Sequence, residues 1–420
     1  MNQTEKKDHL LHFLNESPTA FHAAANIISF LSGKGFQRLA EDRRWDLQPG
    51  HRYFVSRGDS SVIAFMIPEQ TAAAMPAKIA ASHLDSPALK VKMKGLSVMQ
   101  GIAVLPVEVY GGPILSTWLD RPLGLAGRLV YEDSGEIRTR LFARPDIAVV
   151  ANPAFHLNRD VNTKGSVYNP QRQLNAVIGT DTEQFPADLL DIPEVALLDS
   201  ELFLYDSMPA AEIGMRKELI CASRLDNLLS AWTAMLAIAE ASPSRNRLTV
   251  SYWADNEEIG NMTRQGAGSN FLESVFRRIL CCFHASEEDH YISLAQSLML
   301  SADAAHAANP NYMELYEPHY SPKLGQGIAI KKNARARYAT TGNNAAEFRA
   351  LCRKADIPCQ DFTNRADMTC GSTVGPLLSA SLGISTIDIG VPMLAMHSIR
   401  ETADWRDVFR LEKAFSVFFQ

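Results

Sequence analysis

The sequence predicts an α/β fold in which a mixed, mostly parallel sheet is sandwiched by helices and interrupted by a mainly β segment. Three observations predict it. Short apolar runs alternate with helical stretches before about residue 90 and after about residue 213. From about 91 to 212, Gly, Pro and Asn rise and strands become short. Polar, chemically capable residues follow directly on several of the apolar runs, where open α/β sheets bind ligands.

Residues 17–33 (SPTAFHAAANIISFLSG) form the first predicted helix, with Phe21, Ala24, Ala25, Ile28 and Leu31 on one face and Gly33 and Gly35 as its stop. Strands are predicted at 52–56 and 61–67. A third, at 78–82, runs straight into His83-Leu84-Asp85-Ser86-Pro87. The segment 91–212 holds short strands and only weak helical signals near 185–200. Helix 224–240 carries charges only near its ends. Strand 247–253 precedes Asp255-Asn256-Glu257-Glu258, and strand 297–302 precedes Asp303. Helix 344–355 precedes strand 358–362, strand 384–389 precedes the segment with His397, and helix 401–418 closes the sequence.

The 420 residues suggest two or three domains. With 46% apolar and 21% charged residues the composition is that of a globular protein. A net charge of −6, a pI near 6.0 and the lack of a basic run predict neither a nucleic-acid nor a membrane partner. Six cysteines without a C-x-x-C pair fit a reducing compartment. The start lacks a signal-peptide core, and the run Asn227–Ala239 is too short to span a bilayer, so a cytoplasmic location is expected.

His83, Asp85, Asp226, Glu257, Glu258, Asp303 and His397 stand at the carboxyl ends of the strands or at the start of the apolar helix. Two imidazoles with several carboxylates suit zinc, or manganese and cobalt. One carboxylate can bridge two ions about 3.5–4 Å apart. Each residue also has a plainer role open to it. Ser223-x-x-Asp226 matches a capping box. Glu257-Glu258 matches a solvated turn, Asp303 and His306 match a helix cap and a helix-face histidine, and His397 matches a core histidine. Gly371-Ser372-Thr373-Val374-Gly375 imitates a nucleophile elbow with Thr373 in the nucleophile position, beside Cys370, but reads better as a tight loop.

The strings SHLDSP (82–87), SRLDNL (223–228), DNEEIG (255–260), SADAAHAANPNY (301–312), RADMTCGSTVGP (365–376) and VPMLAMHSIRE (391–401) together resemble the aspartyl aminopeptidase family of metallopeptidases. GGPILSTWLDRPLGLAGR (111–128) belongs to the same resemblance, which runs from SPTAFHA to SIRE. It implies a phosphorylase/hydrolase-like zinc-peptidase catalytic domain at 1–90 and 213–420, with 91–212 as an inserted β-rich dimerisation domain. It implies two divalent metal ions per subunit, most plausibly zinc. His83, Asp226 and Asp303 would hold one ion, and Asp226, Glu258 and His397 the other. Glu257 would be the general base and Asp85 would fix the tautomer of His83. His156 would reach a neighbouring subunit's active site in a dimer-based, dodecameric homo-oligomer. Lys331, in IKKNARARYAT, would face an acidic substrate side chain, with Tyr338 of the same string as a further substrate-binding residue. The expected reaction is removal of N-terminal residues, preferably Asp or Glu, from peptides. The sequence departs from the family pattern at 68–80, which lacks a glycine-rich stretch, and at Ala254. A broad aminopeptidase, a deacylase and a non-catalytic assembly protein remain rival readings of the residues. An intact Glu257 speaks against the last.

Overall fold

The computed structural model describes residues 1–180, 189–190 and 196–420. Its largest sheet has nine strands in the order Gln37–Leu39, Arg52–Arg57, Ser61–Met66, Leu248–Ala254, Ala77–His83, Leu298–Ala302, Ser385–Gly390, Ile328–Lys331 and Cys359–Phe362. Ser61–Met66 runs antiparallel to both neighbours, and Ile328–Lys331 runs antiparallel to Ser385–Gly390. The other pairings are parallel, so the sheet is mixed and mostly parallel.

The central strands are buried almost throughout and mostly apolar because both faces are covered. Along Ser61–Met66, Val62, Ala64 and Met66 enter one core while Ile63 and Phe65 enter the other. The first core packs against helices Gln3–Asn15, Ala20–Gly33, Leu225–Glu240, Gly342–Lys354 and Trp405–Phe419. The second packs against Phe271–Cys282, Glu287–Ala295 and Val374–Leu382. Leu225–Glu240 is buried from Leu225 to Ala239, which explains its lack of a polar stripe: a helix apolar all round is an interior helix.

Between the stretches that build this sheet lies an antiparallel five-stranded sheet. Its order is Glu136–Ala148, Leu123–Asp133, Leu197–Asp206, Ala88–Val91, Val107–Tyr110. A three-stranded sheet of Ala176–Thr180, Ile102–Leu105 and Ser97–Met99 accompanies it. Both share a separate apolar cluster around Leu89, Trp118, Leu125 and Leu202. A further small sheet joins Ala211–Ile213, Leu219–Ala222, Glu401–Asp404, Pro392–Leu394 and Ala305–His306.

Four details differ from the sequence reading. Residues 401–404 are a strand and not the first turn of the last helix. That helix begins at Trp405, where the Asp404 carboxylate accepts from Arg406 N at 2.8 Å. Gln3–Asn15 is a helix the apolar pattern did not reveal, because it buries only Leu10, Phe13 and Leu14. In Ala20–Gly33 the buried face is Phe21, Ala23, Ala24, Ile27 and Leu31, whereas Ala25 and Ile28 are only half-buried. The weak helical signals near 185–200 lie largely outside the described residues, and 197–200 is strand.

The backbone near Gly390 brings sheet and site together. Asp303 N donates to Ile389 O at 2.9 Å, and a Cβ on Gly390 would stand 1.9 Å from Asp303 O. Gly390→Ala is therefore expected to push the Asp303 turn away at a cost of about 1–3 kcal/mol. An unchanged urea midpoint for this variant would contradict that packing.

Candidate metal centre

The carboxyl ends of the parallel strands place the site. His83 is the last residue of Ala77–His83 and pairs in register with Ala254, so Asp255–Glu258 emerge beside it. Asp303 follows Leu298–Ala302, the neighbour on the other side. Asp226 comes from the start of the buried helix, where backbone torsions are not yet helical. The capping-box alternative fails there. Arg224, at φ 60°, holds the cap position and no side chain caps the helix. The Asp226 carboxylate instead turns into the cleft, and Asp226 N donates to Glu401 Oε2 at 2.9 Å. Asp303 caps no helix, and His306 sits in a two-residue strand.

Two groups of potential ligands share Asp226. His83, Asp226 and Asp303 offer atoms within 4.8 Å of one another, and so do Asp226, Glu258 and His397. His83 Nε2 is 3.5 Å from Asp226 Oδ1. His397 Nε2 is 3.5 Å from Asp226 Oδ2 and 3.4 Å from Glu258 Oε1. Asp226 Oδ1 is buried and accepts no hydrogen bond, an arrangement that burial penalises unless a cation completes it. Two imidazoles and several carboxylates around an orphaned oxygen fit a borderline divalent ion.

Asp85 is buried behind His83 and its carboxylate accepts from Glu257 N, Glu258 N and Tyr110 OH at 2.8–3.0 Å. His83 Nδ1 lies 3.0 Å from Asp85 O. A carbonyl only accepts, so the Nδ1 proton points there and Nε2 is left facing Asp226. Glu401 is a residue the sequence reading missed. It is buried and holds the main chain of two candidate ligands at once, accepting from Asp226 N at 2.9 Å and from His397 N at 2.8 Å. The only sequence signal was a carboxylate in the string SIRE, where its partners cannot be read.

The electrostatics follow from crowding acids out of water. Burial pushes the Glu257 carboxyl up to about 9, with Asp303, Glu258 and Asp85 adding to the rise and His83 opposing it. Burial likewise raises Glu258 to about 7 and Glu401 to about 8. Burial also disfavours ionisation of Asp226, but His397 and His83 outweigh it and hold that carboxyl below its usual range. Burial opposes charge on His397, yet Asp226 and Glu258 lift it to about 11.

His83, Asp226, Glu257, Glu258, Asp303 and His397 line a cleft of about 780 Å³ together with Lys331, Tyr338 and Thr373. Lys331 is not a solvated strand end. It is 3% exposed, its Nζ 3.7 Å from Asp303 Oδ1 and over the Tyr338 ring. Thr373 is buried and donates to Asp388 Oδ1 at 2.6 Å just before helix Val374–Leu382, so the elbow-like string presents no nucleophile. His156 does not line the cleft. It lies on an exposed turn, Phe155–Leu157.

Comparison with known proteins agrees with this chemistry. The family model described as aminopeptidase I zinc metalloprotease (M18) matches residues 13–419. A probable M18 family aminopeptidase 2 of Pseudomonas savastanoi pv. phaseolicola is 40% identical over 430 residues, covering 99% of this chain and 98% of its own. The fold superposes on a chain of the cryo-EM complex of Ape4 and Nbr1 with a TM-score of 0.93 at 35% identity, covering 98% of this chain and 84% of that one. It superposes on mApe1 of the S. cerevisiae dodecamer with a TM-score of 0.86 at 26% identity, covering 98% and 95%. Sequence, fold and family model converge on one conclusion: the chain belongs to the M18 family of zinc metallopeptidases, and it is an aminopeptidase-family hydrolase.

Proposed function

We propose that this enzyme removes N-terminal residues, preferably Asp or Glu, from peptides at a centre of two divalent cations. The observation that carries this reading is the pair of ligand groups that share Asp226, whose buried Oδ1 accepts no hydrogen bond. His83, Asp226 and Asp303 would hold one cation, and Asp226, Glu258 and His397 the other. Zinc is the expected metal, with manganese or cobalt as alternatives. Bound there, the cations supply Lewis acidity that acidifies water and polarises the scissile carbonyl. Glu257 also lies within ligand distance of His83 and Glu258, but neither group that shares Asp226 needs it, which leaves its carboxylate free to take a proton from the attacking water and deliver it to the leaving amine. Asp85 keeps His83 Nε2 facing the cleft.

Lys331 and Tyr338 line the same cleft and would meet the substrate side chain, with Lys331 supplying the positive charge an acidic residue needs. The Asp303–Lys331 ion pair favours a second reading, broad specificity, if the lysine stays with Asp303. Residues 91–212 would form the inserted dimerisation unit of a dimer-based, dodecameric assembly like that of mApe1. Phe155, Leu157 and Val167 are 53%, 82% and 93% exposed around His156, which supports burial of this segment by a second subunit and delivery of His156 to its site. No helix among the described residues is long and apolar enough to cross a membrane. We place the enzyme in the cytoplasm.

A panel of aminoacyl chromogenic substrates tests the specificity, and cleavage of Leu but not of Asp or Glu derivatives would refute the acidic preference. Glu257→Gln should retain zinc while kcat falls about 10²–10⁴-fold; near-normal turnover would overturn the general-base role. Mixing His156→Ala subunits with Glu257→Gln subunits should recover activity if sites are shared, and no recovery after proven subunit exchange would count against sharing. A last expectation concerns pH. Glu257, Glu258 and Glu401 have folded-state pKa values above their ordinary 4.5. Between pH 5 and 9 these three carboxyls thus bind more protons in the folded metal-free chain than in the unfolded one, and their contribution to stability is lost as pH rises. His397, raised from 6.5, acts in the same direction. Burial lowers His9, His22, His290 and His306, which oppose the trend below about pH 6.5. Metal-free Tm should fall from about pH 7 to 8.5, and the upward shift on adding zinc should grow. A flat or rising metal-free Tm would contradict this.

A further inference from the structure

The segment Tyr110–Thr117 leaves the five-stranded sheet at the end of strand Val107–Tyr110 and crosses directly over the candidate metal centre. Tyr110 OH donates to Asp85 Oδ2 at 2.8 Å and accepts from Asn256 Nδ2 at 2.9 Å. Burial, with Asp85 alongside, pushes the phenol above its ordinary value, so it stays a donor. Asp85 in turn stands behind His83 Nδ1, at 3.4 Å from Oδ1 and 3.0 Å from O.

Two residues further on, the same segment reaches the other imidazole. His397 Nδ1 lies 3.1 Å from Gly112 O. A carbonyl accepts only, so the ring proton sits on Nδ1 and Nε2 faces Asp226 and Glu258. The main chain of the His397 turn is tied to the segment as well. Ile114 N donates to His397 O at 2.9 Å, and Ile399 N donates to Thr117 Oγ1 at 2.9 Å. His397 has φ 65°, a left-handed conformation that a non-glycine residue holds only when its surroundings fix it. The close approach needs Gly111, which has φ 69° and where a Cβ would be 3.1 Å from Glu258 Cβ; at Gly112 a Cβ would meet His397 Nδ1 at 3.6 Å, an ordinary contact.

We propose that Tyr110–Thr117 is a strap through which the β-rich segment positions both imidazoles of its own subunit's metal centre, with Tyr110 and Thr117 as positioning residues. The strap fixes the tautomer of His397 through Gly112 O, and through Tyr110 it holds the Asp85 carboxylate that stands behind His83. It also makes the centre sensitive to the seating of the five-stranded sheet. The inference rests on the metal-centre reading and adds to it a dependence on Tyr110 and Thr117, whose side chains hydrogen-bond to Asp85, Asn256 and the Ile399 amide rather than to a proposed ligand.

The test is metal affinity and not turnover. Zinc affinity by chelator competition and the visible spectrum of the cobalt-loaded protein are measured for the full chain, for Tyr110→Phe and for Thr117→Val. Tyr131→Phe, on strand Leu123–Asp133 with two strands between it and Val107–Tyr110 in the same sheet, is the control. Loss of an outer hydrogen-bond partner typically weakens metal binding about 10–100-fold. Tyr110→Phe and Thr117→Val should each fall in that range and shift the cobalt bands, with Tyr131→Phe unchanged in both. Wild-type affinity and an unshifted spectrum in both strap variants would overturn the strap while leaving the metal centre standing. Failure of the unmodified chain to bind zinc or cobalt would overturn the metal centre and the strap with it.

Discussion

Every part of this molecule near its catalytic face answers to one constraint: several carboxylates must be held close together out of water. Asp226, Glu257, Glu258, Asp303 and Asp85 converge, and the positive or potentially positive groups within 4 Å of them are His83, His397 and Lys331 among the described residues. Like charges in a desolvated pocket repel strongly. The fold manages this with donors that cannot move. Asp85 is pinned by two backbone amides and a phenol, and Glu401 is pinned by the amides of Asp226 and His397. The buried helix Leu225–Glu240 fixes Asp226 from behind. The proposed cations are the remaining part of that balance.

Much of this was legible in the sequence, for physical reasons. A parallel sheet covered on both faces demands uninterrupted apolar runs, so Leu248–Ala254 and Leu298–Ala302 stand out, and the acids that follow them mark the functional edge. The family resemblance then ordered those acids and histidines, and the family model bears out the family. Local pattern failed where the decisive partner lay far along the chain. Glu401–Asp404 reads as helix because its neighbours Leu219–Ala222 and Pro392–Leu394 are invisible to a local window. The burial of Lys331 has no local sign either, because it depends on Asp303 and Tyr338. The link from Tyr110 to Asp85 spans 25 positions, and that from Gly112 to His397 spans 285. A Gly-Gly pair at a strand end was its only trace.

The spacing of the ligands follows from the same architecture. Between His83 and Asp226 the chain leaves the main sheet, builds an antiparallel sheet with its own core and returns. Ala88–Val91 begins only five residues after His83, and Val107–Tyr110 pairs beside it. The excursion therefore starts and remains in contact with the site.

The buried ion pair between Lys331 and Asp303 has a consequence for how such a cleft chooses what it holds. A lysine 3% exposed needs an anion, and here it borrows one that the metal-centre reading assigns elsewhere. Once Asp303 is committed to a cation, the ammonium is left in debt to whatever arrives next. Under the proposed acidic preference, that selectivity would be acquired on loading, and in the metal-free protein Asp303 would imitate the proposed substrate side chain.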